Sequence, residues 1–341
     1  MTLLLTRSDL EAVLDPAACL DALREGFRAA DGGTVAGQRV RTDLPFPGTA
    51  TALIPGLLPA IEAYTVKVNA KFPGARPALR GVICLHSGRD GELLALIDSA
   101  TVTAWRTGLA AALGTHALAG TGGVLGVIGA GAQAELTVRG LAALRPPRSE
   151  RSPEFQRSQR SQRSLRSQRS LRSQRSPRSH GDLVVHDTDG ERAAEFAARH
   201  GGRVVGSAAE VAAAADTVLL ATWSREPLLR LADTRPGQHF TSLGADEPGK
   251  RELGADLLGA ASVIVDDREL AGAMGALAGT GLTADATLGE VLRGEHPGRR
   301  GTDDRTVYAP VGLPWQDLAV AWVAYGEARR RGTGRAVDLL A

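Results

Sequence analysis

A short apolar run followed by a glycine-rich turn lies in the middle of this chain. Residues 124–128 have the length and composition of a buried parallel strand. Gly129, Gly131 and Ala134 follow with the spacing G-x-G-x-x-A. In such a segment the first glycine permits a tight turn, the second lets the backbone approach a pyrophosphate, and the alanine lets a helix pack on the strand. Because a helix N-terminus offers free N–H groups to phosphate, the sequence predicts a dinucleotide-binding strand–turn–helix unit.

An acidic residue that binds the adenosine ribose is expected about 20 residues after these glycines. The best candidate, Asp187, ends the apolar run 183–186 and lies 58 residues after Gly129. A tract of 33 residues, 148–180, stands between them, and without it the spacing is 25. We therefore predict that Asp187 accepts hydrogen bonds from the ribose hydroxyls. Its charge would repel a 2′-phosphate, so NAD is the expected cofactor. NADP is less expected, although Arg192 is a nearby cation that could pair with its 2′-phosphate.

The tract 148–180 repeats Arg-Ser-x triplets and contains ten arginines and two glutamates. It has no apolar period and is expected to be disordered. An arginine-rich segment can tether nucleic acid by counterion release, or it can be an insertion in a surface loop. We favour the insertion, because the tract interrupts a domain and carries one aromatic residue, Phe155, for base stacking. Nucleic acid is therefore not an expected partner.

After Asp187 the chain alternates between helical and strand patterns. Helices are predicted at 190–200, 208–214 and 251–258, and strands at 203–205, 217–221, 239–243 and 262–265. This alternation is typical of a doubly wound parallel sheet, so a Rossmann domain is predicted over residues 119–308. It carries the tract 148–180 as an insertion between its first helix and second strand.

The residues before this domain follow a different pattern. Ser8 and Glu11 match a capping box, and Asp15-Pro16 begins a second helix. Strand patterns at 39–44, 49–54, 61–71, 81–86 and 93–97 then suggest a largely antiparallel sheet, and a helix at 101–119 leads into the Rossmann domain. A last helix at 317–330 is expected to pack back on this part. The predicted fold class is therefore α/β, with the Rossmann domain inserted into a discontinuous α+β domain made of residues 1–118 and 309–341.

Composition excludes several classes of protein. The chain has 341 residues, of which 43% are hydrophobic, and no stretch approaches the roughly 20 apolar residues of a membrane span. The apolar run at the N-terminus is too short for a signal peptide, so a cytoplasmic protein is expected. Two cysteines, Cys19 and Cys84, and scattered histidines predict neither a disulfide framework nor a metal site.

Cations are candidates for binding an anionic substrate. Lysine is rare, with Lys67, Lys71 and Lys250 as its three occurrences. Residues 67, 69 and 71 point to one face of a strand, and Arg106 falls among small residues on a helix. Arg39 and Arg41 alternate in the first strand and could add another cation. Taken singly, each of these residues is more often structural. If they line one cleft, they could together bind the carboxylate of a substrate.

Asp246 is the candidate acid. It follows the predicted strand 239–243, and ligands of open α/β sheets bind outside the carboxyl ends of the strands. A carboxylate at this point can take a proton from a substrate amine or orient a water molecule while hydride moves to or from a nicotinamide. The alternative interpretation is that Asp246 only caps the segment that follows it.

Five segments together resemble the ornithine cyclodeaminase/mu-crystallin family across nearly the whole chain. They are Val66-Lys67-Val68, residues 103–107 (TAWRT), residues 129–134 (GAGAQA), residues 244–253 (GADEPGKREL) and residues 311–319 (VGLPWQDLA). The resemblance implies that Lys67, Arg106 and Arg39 hold an amino-acid carboxylate, with Val311 also at the substrate site. It implies that Asp246 is the catalytic acid/base, acting together with Lys67. The implied cofactor contacts are Gly129, Gly131, Ala132, Gln133, Asp187, Thr222 and Lys250, and the implied assembly is a homodimer formed through the discontinuous domain.

Two positions depart from the family pattern. Ala52 stands three residues before Pro55, where ornithine cyclodeaminases carry a glutamate, and Pro310 replaces the usual serine before Val311-Gly312. Both departures weaken an assignment to ornithine cyclisation. The expected function is NAD-dependent interconversion of a small L-amino acid, or an N-substituted one, with its imine or 2-oxo acid. The alternatives are ornithine cyclodeaminase, which releases proline and ammonia, and a non-catalytic mu-crystallin-like protein that binds the cofactor or a small ligand.

Overall fold

Two β-sheets organise the protein, described by a computed structural model for residues 1–29, 39–45, 48–72, 75, 78–120, 122–144 and 183–339. The first sheet contains β1 (Thr2–Leu5), β2 (Arg39–Asp43), β3 (Thr49–Gly56), β4 (Ala63–Lys71), β5 (Leu79–Ser87), β6 (Leu93–Asp98) and β15 (Arg335–Val337). The second contains β7 (Leu125–Ile128), β8 (Leu183–His186), β9 (Arg203–Val204), β10 (Thr217–Leu220), β11 (His239–Ser242), β12 (Ser262–Val265), β13 (Ala286–Thr287) and β14 (Thr306–Tyr308). The predicted insertion 148–180 lies outside the described residues.

Helices pack on both sheets. They are α1 (Arg7–Val13), α2 (Pro16–Ala29), α3 (Ser99–Leu118), α4 (Ala132–Ala143), α5 (Gly190–His200), α6 (Ala208–Ala214), α7 (Ala255–Gly259), α8 (Arg268–Met274), α9 (Leu288–Leu292) and α10 (Pro314–Arg331). Among these described helices, none is long and apolar enough to cross a bilayer. The long helix α3 contacts β5 of the first sheet as well as β11 and β14 of the second, so it joins the two halves of the molecule.

The second sheet is entirely parallel and has the order β13-β12-β14-β11-β10-β7-β8-β9. The chain leaves β7 in one direction toward β8 and β9 and later returns on the other side with β10 and β11. The strand order therefore reverses between β7 and β10. This is the topological switch point at which doubly wound sheets bind ligands, and the predicted α/β Rossmann class is confirmed.

The first sheet has the order β15-β1-β6-β5-β4-β3-β2. Strands β2 to β6 pair antiparallel with their neighbours, as predicted, whereas β1 pairs parallel with β6. Inward-facing residues such as Ile83 and Leu85 are buried in a core that also contains α2, α3 and α10. The last helix thus packs on the N-terminal half of the chain. The division into residues 1–118 plus 309–341 and residues 119–308 agrees with these two sheets and remains a proposal.

Several local predictions were wrong in their details. The capping box of α1 is formed by Thr6 and Asp9, not by Ser8 and Glu11, because the helix begins directly after β1. The predicted helix 251–258 begins only at Ala255. The backbone before it instead bonds to a neighbouring loop, with the Glu252 carbonyl accepting from the N–H of Leu228. The short strands β1, β13, β14 and β15 have two to four residues each and carry too little periodicity to be predicted.

Candidate active site

The glycine turn lies at the switch point of the second sheet. Gly129 follows β7 with a φ of +91°, and a side chain there would meet the backbone of Ala221, beyond the end of β10. Gly131 is the N-cap of α4, and a Cβ on it would stand in open space. The N-terminus of α4 is thus uncovered by the described residues, while Ala134 is fully buried against the sheet. This cradle has the shape and the N–H donors that a pyrophosphate requires.

Asp187 lies beside this turn despite its distance along the chain. β8 pairs with β7, and the Asp187 carboxylate accepts a hydrogen bond of 2.7 Å from the Ala130 N–H. The Arg192 guanidinium donates to both carboxylate oxygens, at 2.9 and 2.6 Å. Burial of the carboxyl favours its neutral form, but the hydrogen bonds and the charge of Arg192 outweigh burial and lower the pKa of Asp187 to about 2. The residue is therefore a fixed anion at the end of β8.

Lys67 and Arg106 form a buried pair of cations. Lys67 lies on β4 and Arg106 on α3, and their residues are 2% and 8% exposed. Both contact Asp317 of α10, whose Oδ2 is 2.6 Å from Lys67 Nζ and whose Oδ1 is 3.5 Å from Arg106 Nε. Lys67 also donates to Thr103, and Arg106 donates to the side-chain carbonyl of Gln316. Two cations with a carboxylate behind them in a nearly dry site suit a carboxylate ligand.

Asp246 is surrounded by charged groups near the end of β11. Its Oδ1 accepts a hydrogen bond of 2.8 Å from Lys250, and its Oδ2 is 3.8 Å from Lys71 Nζ. Glu247 lies 3.1 Å from each of these two lysines. Burial favours the neutral form of Glu247, but the lysines outweigh it and lower its pKa. The ammonium groups of Lys250 and Lys71 also lie 5.0 and 5.8 Å from the centre of the Trp223 ring, within range of a cation–π interaction.

A buried carboxylate that the sequence analysis did not single out orders this region. Glu252 is fully buried and accepts hydrogen bonds from the backbone and hydroxyl of Thr222, both at 2.7 Å. It also accepts from the Ser242 hydroxyl and the Gly244 N–H. Burial raises the pKa of Glu252, and these hydrogen bonds oppose that effect. By tying the segments after β10 and β11 together, Glu252 fixes the positions of Thr222 and Gly244.

Val311 is held in place by another buried acid, Asp266, which follows β12. The Asp266 carboxylate accepts hydrogen bonds from the N–H groups of Val311 and Gly312, at 2.9 and 2.6 Å. Burial raises the pKa of Asp266, while these N–H groups and Arg106 oppose the shift. Sequence reasoning missed Asp266, Glu252, Gln316 and Asp317 as site residues. Glu252, Gln316 and Asp317 lie within the segments that carry the family resemblance, but their roles depend on contacts that form only in the folded chain.

A single cleft of about 780 Å³ brings these groups together. Of the residues predicted for the site, it is lined by Lys67, Arg106, Ala132, Gln133, Thr222, Asp246, Lys250 and Val311. Gly129, Gly131 and Asp187 are not among its lining residues, and Asp187 is bonded to the glycine turn through Ala130. Arg39 begins β2 and its backbone pairs with Leu53, but its side chain is outside the described residues. The position of Arg39 relative to the two buried cations therefore stays a prediction.

The cleft has two chemically distinct ends. Lys67 and Arg106 can bind a carboxylate, and Asp246 can exchange a proton with a group held nearby. The N-terminus of α4 and the switch point can hold an elongated phosphorylated ligand alongside. A volume of about 780 Å³ is within the range of small-molecule and cofactor sites.

This fold and cleft place the protein among two-sheet α/β proteins with a Rossmann-type half. The chain belongs to the ornithine cyclodeaminase/mu-crystallin family, which it matches over residues 1–152 and 178–332. The resemblance stated from the sequence is thereby confirmed. Residues 153–177, inside the Arg-Ser tract, lie outside the match, which supports the interpretation of the tract as an insertion.

Relatives with known names resemble the chain along most of its length. Alanine dehydrogenase of Archaeoglobus fulgidus is 26% identical over 353 residues, covering 98% of this chain and 97% of that protein. Ketimine reductase mu-crystallin of Mus musculus is 29% identical over 316 residues, covering 89% and 88%. The structure of an archaeal alanine dehydrogenase dimer with bound NAD matches with a TM-score of 0.80 at 25% identity and covers 99% of each chain.

Proposed function

We propose that this protein is an NAD-dependent oxidoreductase that interconverts a small L-amino acid, or an N-substituted amino acid, with its imine or 2-oxo acid. The observation that carries the proposal is the buried Lys67–Arg106 pair, which faces the same cleft as Asp246 and the N-terminus of α4. The activities in the names of the relatives, alanine dehydrogenase and ketimine reductase, support the same class of reaction.

In this proposal residues 119–308 bind NAD. Gly129, Gly131, Ala132 and Gln133 would hold the pyrophosphate, and Thr222 and Lys250 would contact the cofactor. Asp187 would accept from the adenosine ribose in place of Arg192, which donates to both of its carboxylate oxygens here. Its negative charge disfavours a 2′-phosphate. Asp189 and Glu191 are also acidic, so the segment 187–192 contains three acids and one cation, Arg192. NAD is therefore favoured over NADP.

Residues 1–118 and 309–341 bind the substrate in this proposal. The substrate carboxylate would be held by Lys67, Arg106 and Arg39, and Val311 would contact the substrate. This arrangement would turn the Cα of the substrate toward the cofactor. The bound nicotinamide supplies hydride chemistry. Asp246 takes a proton from the substrate amine when the amino acid is oxidised to the imine, and it returns this proton in the reductive direction. Water then adds to the imine to release ammonia and the 2-oxo acid.

The test follows NADH absorbance with purified protein, using L-amino acids in one direction and 2-oxo acids with ammonia or amines in the other. The variant Asp246→Asn should lose at least about a hundredfold in kcat, the scale of general acid–base catalysis. Its affinity for NADH should stay unchanged. Asp303→Asn, at an exposed acid, is the control and should behave as wild type. Full turnover by Asp246→Asn would refute the proposed role.

The same assay separates the alternative functions. Ornithine cyclodeaminase would form proline and ammonia from L-ornithine without accumulating NADH. A mu-crystallin-like binding protein would bind NADH and turn over no member of the panel. Ala52, at the position of the cyclodeaminase glutamate, favours the oxidoreductase.

We also propose a homodimer, formed through the outer face of the first sheet. Val68 and Val40 are 49% and 55% exposed on this face, and Tyr64, Val66 and Val82 share it because side chains alternate along a strand. Ala63, Thr65 and Lys67, which alternate with them on β4, are buried, so we place α3 and α10, which contact β4, on the opposite face. Exposed apolar faces mark association surfaces. The archaeal alanine dehydrogenase, whose structure is a dimer, supports a dimeric state.

Light scattering after size-exclusion chromatography tests the dimer. Wild type should have twice the mass of one chain, and Val68→Asp should shift toward the monomer. Val204→Asp provides the control, because Val204 is 46% exposed on the edge strand of the other sheet. A dimer that survives Val68→Asp unchanged would refute this interface.

We propose the cytoplasm as the compartment, where NAD(H) and free amino acids are available.

A further inference from the structure

Asp317 contacts both cations of the proposed carboxylate site from behind. It lies in the first turn of α10, is 1% exposed, and is separated from Lys67 by 250 residues along the chain. Its Oδ2 accepts a hydrogen bond of 2.6 Å from Lys67 Nζ, while its Oδ1 lies 3.5 Å from Arg106 Nε. Asp317 is absent from the lining of the cleft, so a ligand in the cleft would touch the cations and not this carboxylate.

Burial makes the protonation of Lys67 depend on its neighbours. An ammonium taken out of water loses its proton more easily, whereas an adjacent carboxylate stabilises the charged form. An arginine keeps its charge under all these conditions. Asp317, whose Oδ2 is 2.6 Å from Lys67 Nζ, can therefore hold Lys67 charged although Lys67 is 2% exposed. Arg106, which is 8% exposed, adds a second positive charge to the site.

The position of the Arg106 guanidinium also depends on residues in the first turn of α10. Gln316 precedes Asp317, is fully buried, and accepts a hydrogen bond of 3.3 Å from Arg106 Nη1 through its side-chain oxygen. The contact between Arg106 Nε and Asp317 is one of charge, without hydrogen-bond geometry. Gln316 thus fixes one N–H group of the guanidinium, while Arg106 also lines the cleft.

We propose that Asp317 is a positioning residue of the carboxylate site: it keeps Lys67 protonated and in place, and it lowers the positive charge of the cation pair. This inference rests on the proposed function only insofar as a carboxylate binds Lys67 and Arg106. Hydride transfer is not required for it. The C-terminal helix therefore completes the site that β4 and α3 begin.

The experiment measures binding of pyruvate to the protein saturated with NADH, without any amine, by quenching of NADH fluorescence between pH 6 and 9.5. In wild type the Kd for pyruvate should change less than about twofold. In Asp317→Asn it should resemble wild type at the acid end and rise by up to about tenfold per pH unit once Lys67 loses its proton. Asp317→Glu, which restores the charge, should return the flat profile. Glu327→Gln, at an acid of the same helix that pairs with Arg330 and Arg331 and does not line the cleft, should match wild type.

A second readout uses malonate, which carries two carboxylates. At pH 6.5 the Asp317→Asn site has gained a positive charge, so the ratio of pyruvate Kd to malonate Kd should rise about tenfold, equivalent to about 1.4 kcal/mol. A merely structural role would weaken both ligands equally and at every pH, and that result would overturn the proposal. So would a wild-type protein that binds neither acid. Binding with the expected pH profile but no turnover would instead refute only the oxidoreductase activity.

Discussion

Gly312 lies directly against the guanidinium of Arg106. A Cβ on Gly312 would overlap Arg106 Nη1, and the backbone of Gly312 has a φ of +94°, which L side chains rarely adopt. The Asp266 carboxylate holds this backbone in place through the N–H groups of Val311 and Gly312. The position of a candidate substrate-binding arginine therefore depends on a residue without a side chain.

The variant Gly312→Ala should weaken carboxylate binding. The new methyl group displaces Arg106, and we expect the Kd for pyruvate in the NADH complex to rise about tenfold, or about 1.4 kcal/mol. Backbone strain should lower the free energy of unfolding by about 1–3 kcal/mol. Gly281→Ala is the matched control, because Gly281 has a φ of +74° with open space around it and should show strain without loss of pyruvate binding. Equal pyruvate affinity in both variants would contradict the role of the contact.

Asp187 should set the preference between the two nicotinamide cofactors. In Asp187→Ser the negative charge that opposes a 2′-phosphate is gone, while Arg192 remains and can pair with that phosphate. We expect the ratio of the NADPH Kd to the NADH Kd to fall at least about tenfold, measured by nucleotide fluorescence. Asp189→Ser removes a neighbouring charge and keeps an N-cap, so it controls for charge alone. If both variants shift the ratio equally, the cofactor preference depends on the total negative charge of this segment and not on the position of Asp187.

The glycine turn and the neighbouring Asp187 could be predicted because each is marked by a pattern within a short stretch of sequence. Gly129, Gly131 and Ala134 carry their spacing in six residues, and Asp187 directly follows an apolar strand. Even the intervening tract did not hide this pair, because low-complexity sequence is recognisable by composition. The structure joins them through the hydrogen bond from Ala130 to Asp187.

The roles of the buried acids were not predicted, although Glu252 and Asp317 lie in segments that carry the family resemblance, because these roles depend on tertiary contacts. Asp317 reads as a favourable acid in the first turn of a helix, and Asp266 and Glu252 as ordinary polar residues after a strand and in a loop. Their burial becomes evident only when distant segments converge, as with Lys67 and Asp317. Strand β14 (Thr306–Tyr308) was missed for a related reason, since three residues do not display a period and its place between β11 and β12 is set by packing.

Lys71 and Glu247 connect the two halves of the molecule across the cleft. Lys71 belongs to the first sheet, Glu247 follows a strand of the second, and their 3.1 Å ion pair is partly buried. A double-mutant cycle with Lys71→Met and Glu247→Gln should give a coupling free energy of about 0.5–1 kcal/mol in urea unfolding, reduced at high salt. The exposed pair Arg89–Glu62 serves as control and should show coupling close to zero. A coupling as small as that of the control would mean that the pair does not hold the halves together.

His239 should make the protein sensitive to mild acid. It is fully buried between Thr306 and Thr241, whose hydroxyls lie 2.9 Å from its two ring nitrogens. Burial, and to a smaller extent the charge of Arg299, lowers the pKa of His239 to about 3, whereas an unfolded histidine has its ordinary value of 6.5. Between these values the unfolded chain binds a proton that the folded chain does not. The contribution of His239 to stability is therefore complete above pH 6.5 and declines as the pH falls toward 3.

The free energy of unfolding in urea, measured from pH 8 to pH 5, tests this expectation. Below pH 6.5 wild type should lose up to about 1.4 kcal/mol per pH unit through this one group. His239→Gln should be less stable at pH 8, because a buried polar contact is altered, but its stability should fall less steeply with acid. His296→Gln, at a partly exposed histidine, controls for the loss of an imidazole and should keep the wild-type slope. If His239→Gln and wild type fall in parallel from pH 6.5 to pH 5, another group must carry the acid sensitivity.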